Sequence, residues 1–479
     1  MYRRLLGLQC DALGKSLPFL FEESYTALFM PGNLLNQDSI VRKLVQDIAE
    51  EDWRDTPDSD NGVEIVGWLY QFYISERKDA VIGAKSKVAA RDIPAATQLF
   101  TPHWIVRYMV ENSLGRLWLE GHPESNLREK MPFYLAGPPD QEAESMVGEG
   151  AKVPLQPQEL TVMDPACGSG HILVYAFDLL FEIYREQGYL ERDIPGLILE
   201  HNLHGLDIDE RAAQLASFAV LMKARAKNPR ILRKPPKLNI LTVRSTRHLT
   251  VEQFQKAEQV TKTKPLIDHQ LSLDSISESP EQLPLAQSAS SPVQRSYPLL
   301  DKLLSTFEEA DHLGSLITPS QMDATKLYAQ LDEIEVNAPL FKSEVANLRQ
   351  IARQAELLSK KYWVVVANPP YMGSKGMNST LKEFAKKNYP SSKSDLFSVF
   401  VERIINLTIK GGLIGLMTPF TWMFLSSYEK LRKRIINECT LTSLIRPEYH
   451  AFLSRLTFQS AHLLYRLMLN QNAKVLSLI

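Results

Sequence analysis

Cysteine is scarce: the 479 residues contain only Cys10, Cys167 and Cys439, far apart and without a CxxC pair. That excludes a disulfide-stapled scaffold and a cysteine-based zinc site, and it fits a reducing, cytoplasmic compartment. Long apolar runs are missing too, and stretches such as residues 411–417 are far too short to cross a bilayer. The first residues are basic and then briefly apolar, but Asp11 and the lack of a cleavage-site pattern argue against a signal peptide. Net charge is nearly absent, with 54 Lys plus Arg against 56 Asp plus Glu. A nucleic acid would therefore have to meet local basic patches. What remains, 44% hydrophobic and 23% charged residues, is ordinary globular composition and excludes a disordered chain, a collagen or a coiled-coil rod. A chain of this length predicts two or three domains.

Residues 1–98 read as a helical N-terminal region, in which Trp68, Leu69, Phe72 and Tyr73 recur at helical spacing and predict a packed face. From residue 99 the texture changes to short β-like runs separated by helices. Apolar runs at 160–164, 203–208, 362–367, 413–418, 441–445 and 460–467 predict strands, and the stretches 173–183 and 210–226 predict helices between them. Strands alternating with helices indicate an α/β fold, a parallel sheet with helices on both faces. Residues 247–359 break the alternation and predict a helical insertion, itself interrupted at 272–298 by a Ser-, Pro- and Gln-rich linker. The α/β part thus falls into two halves, 99–246 and 360–479.

Two constellations carry chemistry. Asp164-Pro165-Ala166-Cys167-Gly168-Ser169-Gly170 follows a strand and opens a helix, the place where open α/β sheets bind ligands. Glycines there let a ligand approach the unpaired N–H groups of a helix N-terminus. Asp207 ends the next strand, where a carboxylate can accept hydrogen bonds from both hydroxyls of a ribose. A Gly-rich turn plus such an acid suits a nucleoside cofactor. The spacing is neither GxGxxG nor GK[ST], which disfavours NAD and ATP.

The second constellation is Asn368-Pro369-Pro370-Tyr371, directly after an uncharged, β-branched strand. The prolines stiffen the turn and remove two backbone donors. An amide oxygen, exposed carbonyls and an aromatic ring remain on a rigid support, groups that suit a planar substrate amine. Two acceptors on such an amine localise its lone pair for attack. Basic residues gather at 223–237, where a solvated helix face is expected, and at Lys375, Lys382, Lys386, Lys387 and Lys393, where a mobile loop touching phosphates is expected.

Together these two motifs, with Phe100-Thr101-Pro102 upstream, resemble the S-adenosylmethionine-dependent DNA adenine-N6 methyltransferases. The stretch 92–109, with 112–118 and the lead-in at 67–73, is similar to the PglX methyltransferases of bacteriophage-exclusion (BREX) systems. The resemblance covers roughly residues 60–470 and implies a Rossmann-like class I methyltransferase sheet. It also implies S-adenosyl-L-methionine as cofactor, no metal, and double-stranded DNA as partner, with other phage-defence proteins as further partners. The implied chemistry is direct methyl transfer to N6 of a flipped-out adenine.

Carried onto this chain, the resemblance assigns Asn368, Pro369, Pro370 and Tyr371 to catalysis. It assigns Phe100, Thr101, Pro102, Asp164, Ala166, Gly168, Gly170 and Asp207 to the cofactor, with Asn239 reading the cofactor adenine where an Asp is usual. Asp395, Lys375 and either Phe452 or Phe458 would face the substrate. Cys167, inside the cofactor turn, is expected to be a packing residue. Relatives of this kind carry a C-terminal recognition domain, so the chain is expected to be a fragment. The same Asn-Pro-Pro-Tyr chemistry serves RNA and protein-glutamine methyltransferases, and a cofactor-binding subunit without turnover is a further alternative.

Overall fold

The uncharged run Tyr362–Ala367 sits at the centre of a seven-stranded sheet, with Val364, Val365 and Val366 fully buried. Each such side chain contributes about 1.5–3 kcal/mol when buried. This computed structural model describes residues 2–21, 34–47, 49, 61–84, 86–99, 101–136, 154–263, 296–446 and 460–467. In chain order the strands are β1 (Val162–Asp164), β2 (Leu203–Asp207), β3 (Asn239–Thr242), β4 (Tyr362–Ala367), β5 (Thr408–Pro419), β6 (Cys439–Ile445) and β7 (Ser460–Leu467). Their spatial order is β3-β2-β1-β4-β5-β7-β6, with β7 alone antiparallel to its neighbours. This strand order matches the class I methyltransferase sheet that the resemblance implies.

The order reverses between β1 and β4, whose contact aligns Val162 with Val364. Right-handed crossovers on either side of such a reversal place their helices on opposite faces and leave a crevice above the switch point. His171–Glu186 and Glu210–Lys227 cover one face, and Leu396–Leu407, on the β4-to-β5 connection, covers the other. The first face builds a core in which Ile105, Met109, Leu114, Trp118, Phe177 and Tyr184 are all buried.

Contacts divide the chain into two compact units: Met1–Val243, Asp311–Thr318 and Lys360–Ile479 in the first, Arg244–Ala310 and Pro319–Ser359 in the second. The second unit is helical. Pro298–Phe307, Ala324–Asn337 and Lys342–Ser359 bury Leu300 and Leu303, Leu331 and Ile334, and Val345 and Leu348. Most of the expected linker falls at 264–295, outside the described residues. Among the described residues, no helix is long and apolar enough to cross a membrane.

The N-terminal helix Asn61–Gly83 differs from expectation. Phe72 and Tyr73 are 72% and 65% exposed, whereas Tyr70 and Ile74 are buried against Ala212 and Leu215. The spacing of the large aromatics does not mark the packed face, because the neighbouring helix Glu210–Lys227 offers small Ala residues that accept Tyr70 instead.

Candidate active site

The Gly-rich turn leaves β1 at Asp164, which is 1% exposed and accepts a hydrogen bond from the Ala166 N–H at 3.1 Å. Burial pushes its carboxyl up to about 8, and the negative charge of Asp207 adds to the shift. The Cys167 N–H donates to the Leu206 carbonyl at 3.0 Å, tying the turn to β2. The Cys167 thiol is buried and pushed well up by desolvation, as a packing residue should be. Gly168 has φ +52°, and a Cβ there would meet nothing within 4 Å, so the turn opens onto free space. Gly170, at φ +90°, is different. A Cβ there would lie 2.8 Å from the Cα of Ala216, so this glycine lets two helices approach.

Asp207 ends β2 beside the turn. One oxygen accepts from the Gly168 N–H and the other from the Asp209 N–H, both at 2.8 Å. Burial raises its carboxyl to about 6. A carboxylate has roughly four acceptor positions, so acceptor capacity remains for a ligand. Asp209 in turn accepts from the Tyr70 hydroxyl, which brings the Asn61–Gly83 helix to the site.

β4 delivers Asn368. Its Nδ2 donates to the Thr101 Oγ1 at 3.0 Å and the Leu99 carbonyl at 3.3 Å, and its Oδ1 accepts from the Tyr371 hydroxyl at 2.8 Å. The amide is therefore held by both ends in a defined orientation. The same single O–H is shared with the Met417 carbonyl at 3.1 Å, and the Tyr371 ring meets Phe397 edge-on at 6.2 Å. Burial pushes the Tyr371 phenol up, with Asp395 adding to it, which keeps it a donor.

These three turns surround one cleft with two lobes. The first, of about 710 Å³, is lined by Ile93, Pro94, Asp207, Ile208, residues 312–316, Pro370, Leu396 and Phe400. The second, of about 460 Å³, is lined by Gly67, Gln71, Thr101, Asp164, Cys167, Ser169 and His171. Gln98, Leu99, Ala166, Gly168 and Asn368 border both.

S-adenosylmethionine fits these residues. Asp207 keeps acceptors for ribose hydroxyls, and Gly168 leaves room at the turn. Ile208, Leu313 and Leu316 give the first lobe apolar walls. The buried Oε1 of Gln71 has no hydrogen-bond partner and lines the second lobe, where an ammonium donor would satisfy it.

The expected residues fall into groups. Asn368, Pro370, Thr101, Asp164, Ala166, Gly168 and Asp207 meet at the cleft. Tyr371 reaches it through Asn368, and Pro369 bridges the two in the same turn. Pro102 caps the helix His103–Val110, and Gly170 packs. Asp395 caps Leu396–Leu407, and one of its oxygens accepts from the Met372 and Phe397 N–H groups, so it positions the segment after Tyr371. Phe100, Phe452 and Phe458 lie outside the described residues.

Two expectations need correction. Asn239 begins β3 in register with His204, three residues before the end of the strand. Its Nδ2 donates to the Glu200 carbonyl at 3.0 Å. It is therefore at the far end of β3 from the cleft and cannot read a ligand there. Residues 379–388, expected in a loop, form the helix Ser379–Asn388. It carries exposed Lys382, Lys386 and Lys387, flanked by exposed Lys375 and Lys393.

Sequence reasoning missed Gly67, Gln71, Gln98, Leu99, Ile208 and residues 312–316. Gly67 does leave a signal, a glycine inside a helix, since a Cβ there would lie 2.4 Å from the His171 ring.

Comparison with known proteins gives the family. The chain is 45% identical to the adenine-specific methyltransferase BrxX of Escherichia coli O9:H4 (strain HS), over 94% of this chain and 36% of that protein. It is 38% identical to the adenine-specific methyltransferase PglX of Lacticaseibacillus casei (strain Zhang), over 91% of this chain and 34% of that protein. It thus spans about a third of the length of either relative. Residues 201–452, just over half of the chain, match the Eco57I restriction-modification methylase family. The chain belongs to that family.

Proposed function

We propose that this chain transfers a methyl group from S-adenosylmethionine to N6 of an adenine flipped out of double-stranded DNA, in the setting of a phage-exclusion system. The observation that carries this reading is the convergence of Asn368 and Pro370 with the Asp164 turn and Asp207 on one cleft. The names of the two relatives support adenine as the target.

The cofactor supplies an electrophilic methyl on a sulfonium, so the protein's task is alignment. Thr101 and Leu99 hold the Nδ2 of Asn368, which leaves its Oδ1 to accept a hydrogen bond from the target amine. The Pro369 carbonyl is the second acceptor for that amine. With both N–H groups held, the nitrogen lone pair points toward the methyl; the N–C bond forms as the C–S bond breaks, leaving S-adenosylhomocysteine, and the nitrogen gives up one N–H proton to solvent. Tyr371 turns from its bond to Asn368 to stack on the flipped base, offsetting part of the few kcal/mol that flipping costs. Lys375 and its four exposed neighbours meet phosphates beside the catalytic turn. Other phage-defence proteins act with the chain.

Labelled S-adenosylmethionine and unmethylated bacterial DNA test this directly. Label should appear in N6-methyladenine, and Asn368→Ala should lower the rate by more than about a hundredfold, the scale of losing one preorganised polar contact to the reacting group. Label in RNA or in glutamine side chains, or cofactor binding without transfer, would refute it.

A further inference from the structure

Residues 312–316 wall the first lobe although no strand holds them. They form the end of a four-residue helix and one turn of 3-10 helix, with Gly314 at φ +53° lying against Ile208. What fixes this short strap is a set of bonds to its backbone. Arg403 donates from Nε to the Ser315 carbonyl and from Nη2 to the Ile317 carbonyl, both at 2.9 Å. The Tyr389 hydroxyl donates to the Leu316 carbonyl at 3.2 Å, and the Ser315 hydroxyl donates to the Pro165 carbonyl in the Gly-rich turn.

Arg403 is 2% exposed, on the helix whose Leu396 and Phe400 line the same lobe. Burying a guanidinium is costly, and an apolar side chain would fill the space at less expense. What an apolar residue cannot supply is a planar fork that grips two carbonyls at once.

We propose that Arg403 is a positioning residue for the cofactor: by gripping both ends of the turn at Ser315–Ile317, it sets residues 312–316 against Ile208 as a wall of the lobe that Asp207 also lines. Arg403 itself does not touch the cleft. This assignment rests on the cleft being the cofactor site. It predicts that the affinity for S-adenosylmethionine depends on Arg403, while the geometry at Asn368 does not.

Calorimetric titration with S-adenosylmethionine, paired with steady-state methyl transfer, tests it. Arg403→Lys keeps the charge but loses the fork, and should raise both Kd and KM for the cofactor about tenfold, the worth of one hydrogen bond to a charged group. Its kcat should stay within about twofold, as for loss of uniform binding. A residue that only stabilises the fold would lower the melting temperature and leave the Kd of the folded fraction alone. Tyr389→Phe and Ser315→Ala remove the other ties and should each weaken binding about threefold. They carry the test if Arg403→Lys does not fold. Unchanged Kd in the folded variants, or a fall in kcat at constant KM, would overturn the assignment. A wild-type chain that binds no cofactor would overturn the cofactor site itself, an outcome visible before any variant is made.

Discussion

Asp164 offers a sharp test of the site's electrostatics that needs no substrate. Its carboxyl is 1% exposed, holds one backbone hydrogen bond and is pushed up to about 8 by burial. In the unfolded chain an aspartate titrates near 3.9. Between those values the folded protein holds a proton that the unfolded chain has lost, so stability falls as pH rises, by about 1.4 kcal/mol per pH unit. From pH 6 to 8 the loss comes to about 2 kcal/mol, because the proton is already half released at the upper end. Asp164→Asn has nearly the same shape, keeps an acceptor for the Ala166 N–H and cannot ionise. Urea unfolding of both proteins, compared at each pH, cancels the titrating groups that do not interact with Asp164. The variant should gain about 2 kcal/mol on the wild type between pH 6 and 8. A difference that stays constant over that range would show that Asp164 ionises like a solvated carboxyl, and would remove the basis for a buried acid beneath the turn.

Two further outcomes test the geometry. Thr101→Val removes the acceptor at 3.0 Å from Asn368 Nδ2 and should cut kcat for methyl transfer about tenfold, while Thr101→Ser restores it; equal rates for all three would show that the amide needs no anchor. Gly170→Ala, blocked by Ala216 and a positive φ, should cost at least about 2 kcal/mol in chemical denaturation, whereas Gly168→Ala, with open space around it, should cost about 1 kcal/mol and instead weaken cofactor binding in a titration.

Much of the sheet was legible from residue type alone. Val364, Val365 and Val366 have β-branched side chains and no charge, and such a run between a helix and a Pro-Pro turn has few other stable forms. The Gly-rich turn and the Asn368 turn were legible because each needs unusual backbone chemistry at fixed positions. Asn239 shows where local pattern fails. No strand was expected at 239–242, and whether Asn239 sits at the cleft end or the far end of β3 is set by register against β2, which the strand's own residues do not encode. Residues 312–316 were not legible for a related reason. They sit amid helical sequence, and their role depends on Arg403 and Pro165, which lie 88 and 150 residues away.

Those separations bear on how the protein is made. The bond from Asn368 to Leu99 spans 269 residues, that from Tyr70 to Asp209 spans 139, and the strap's two-pronged hold comes from Arg403, 88 residues from Ser315. A chain emerging from the ribosome at about 5–20 residues per second has all of β1 and β2 long before it has the strap's anchor. Capture of the cofactor is therefore weaker before Arg403 has emerged, and the free energy of that binding favours chains that have passed it.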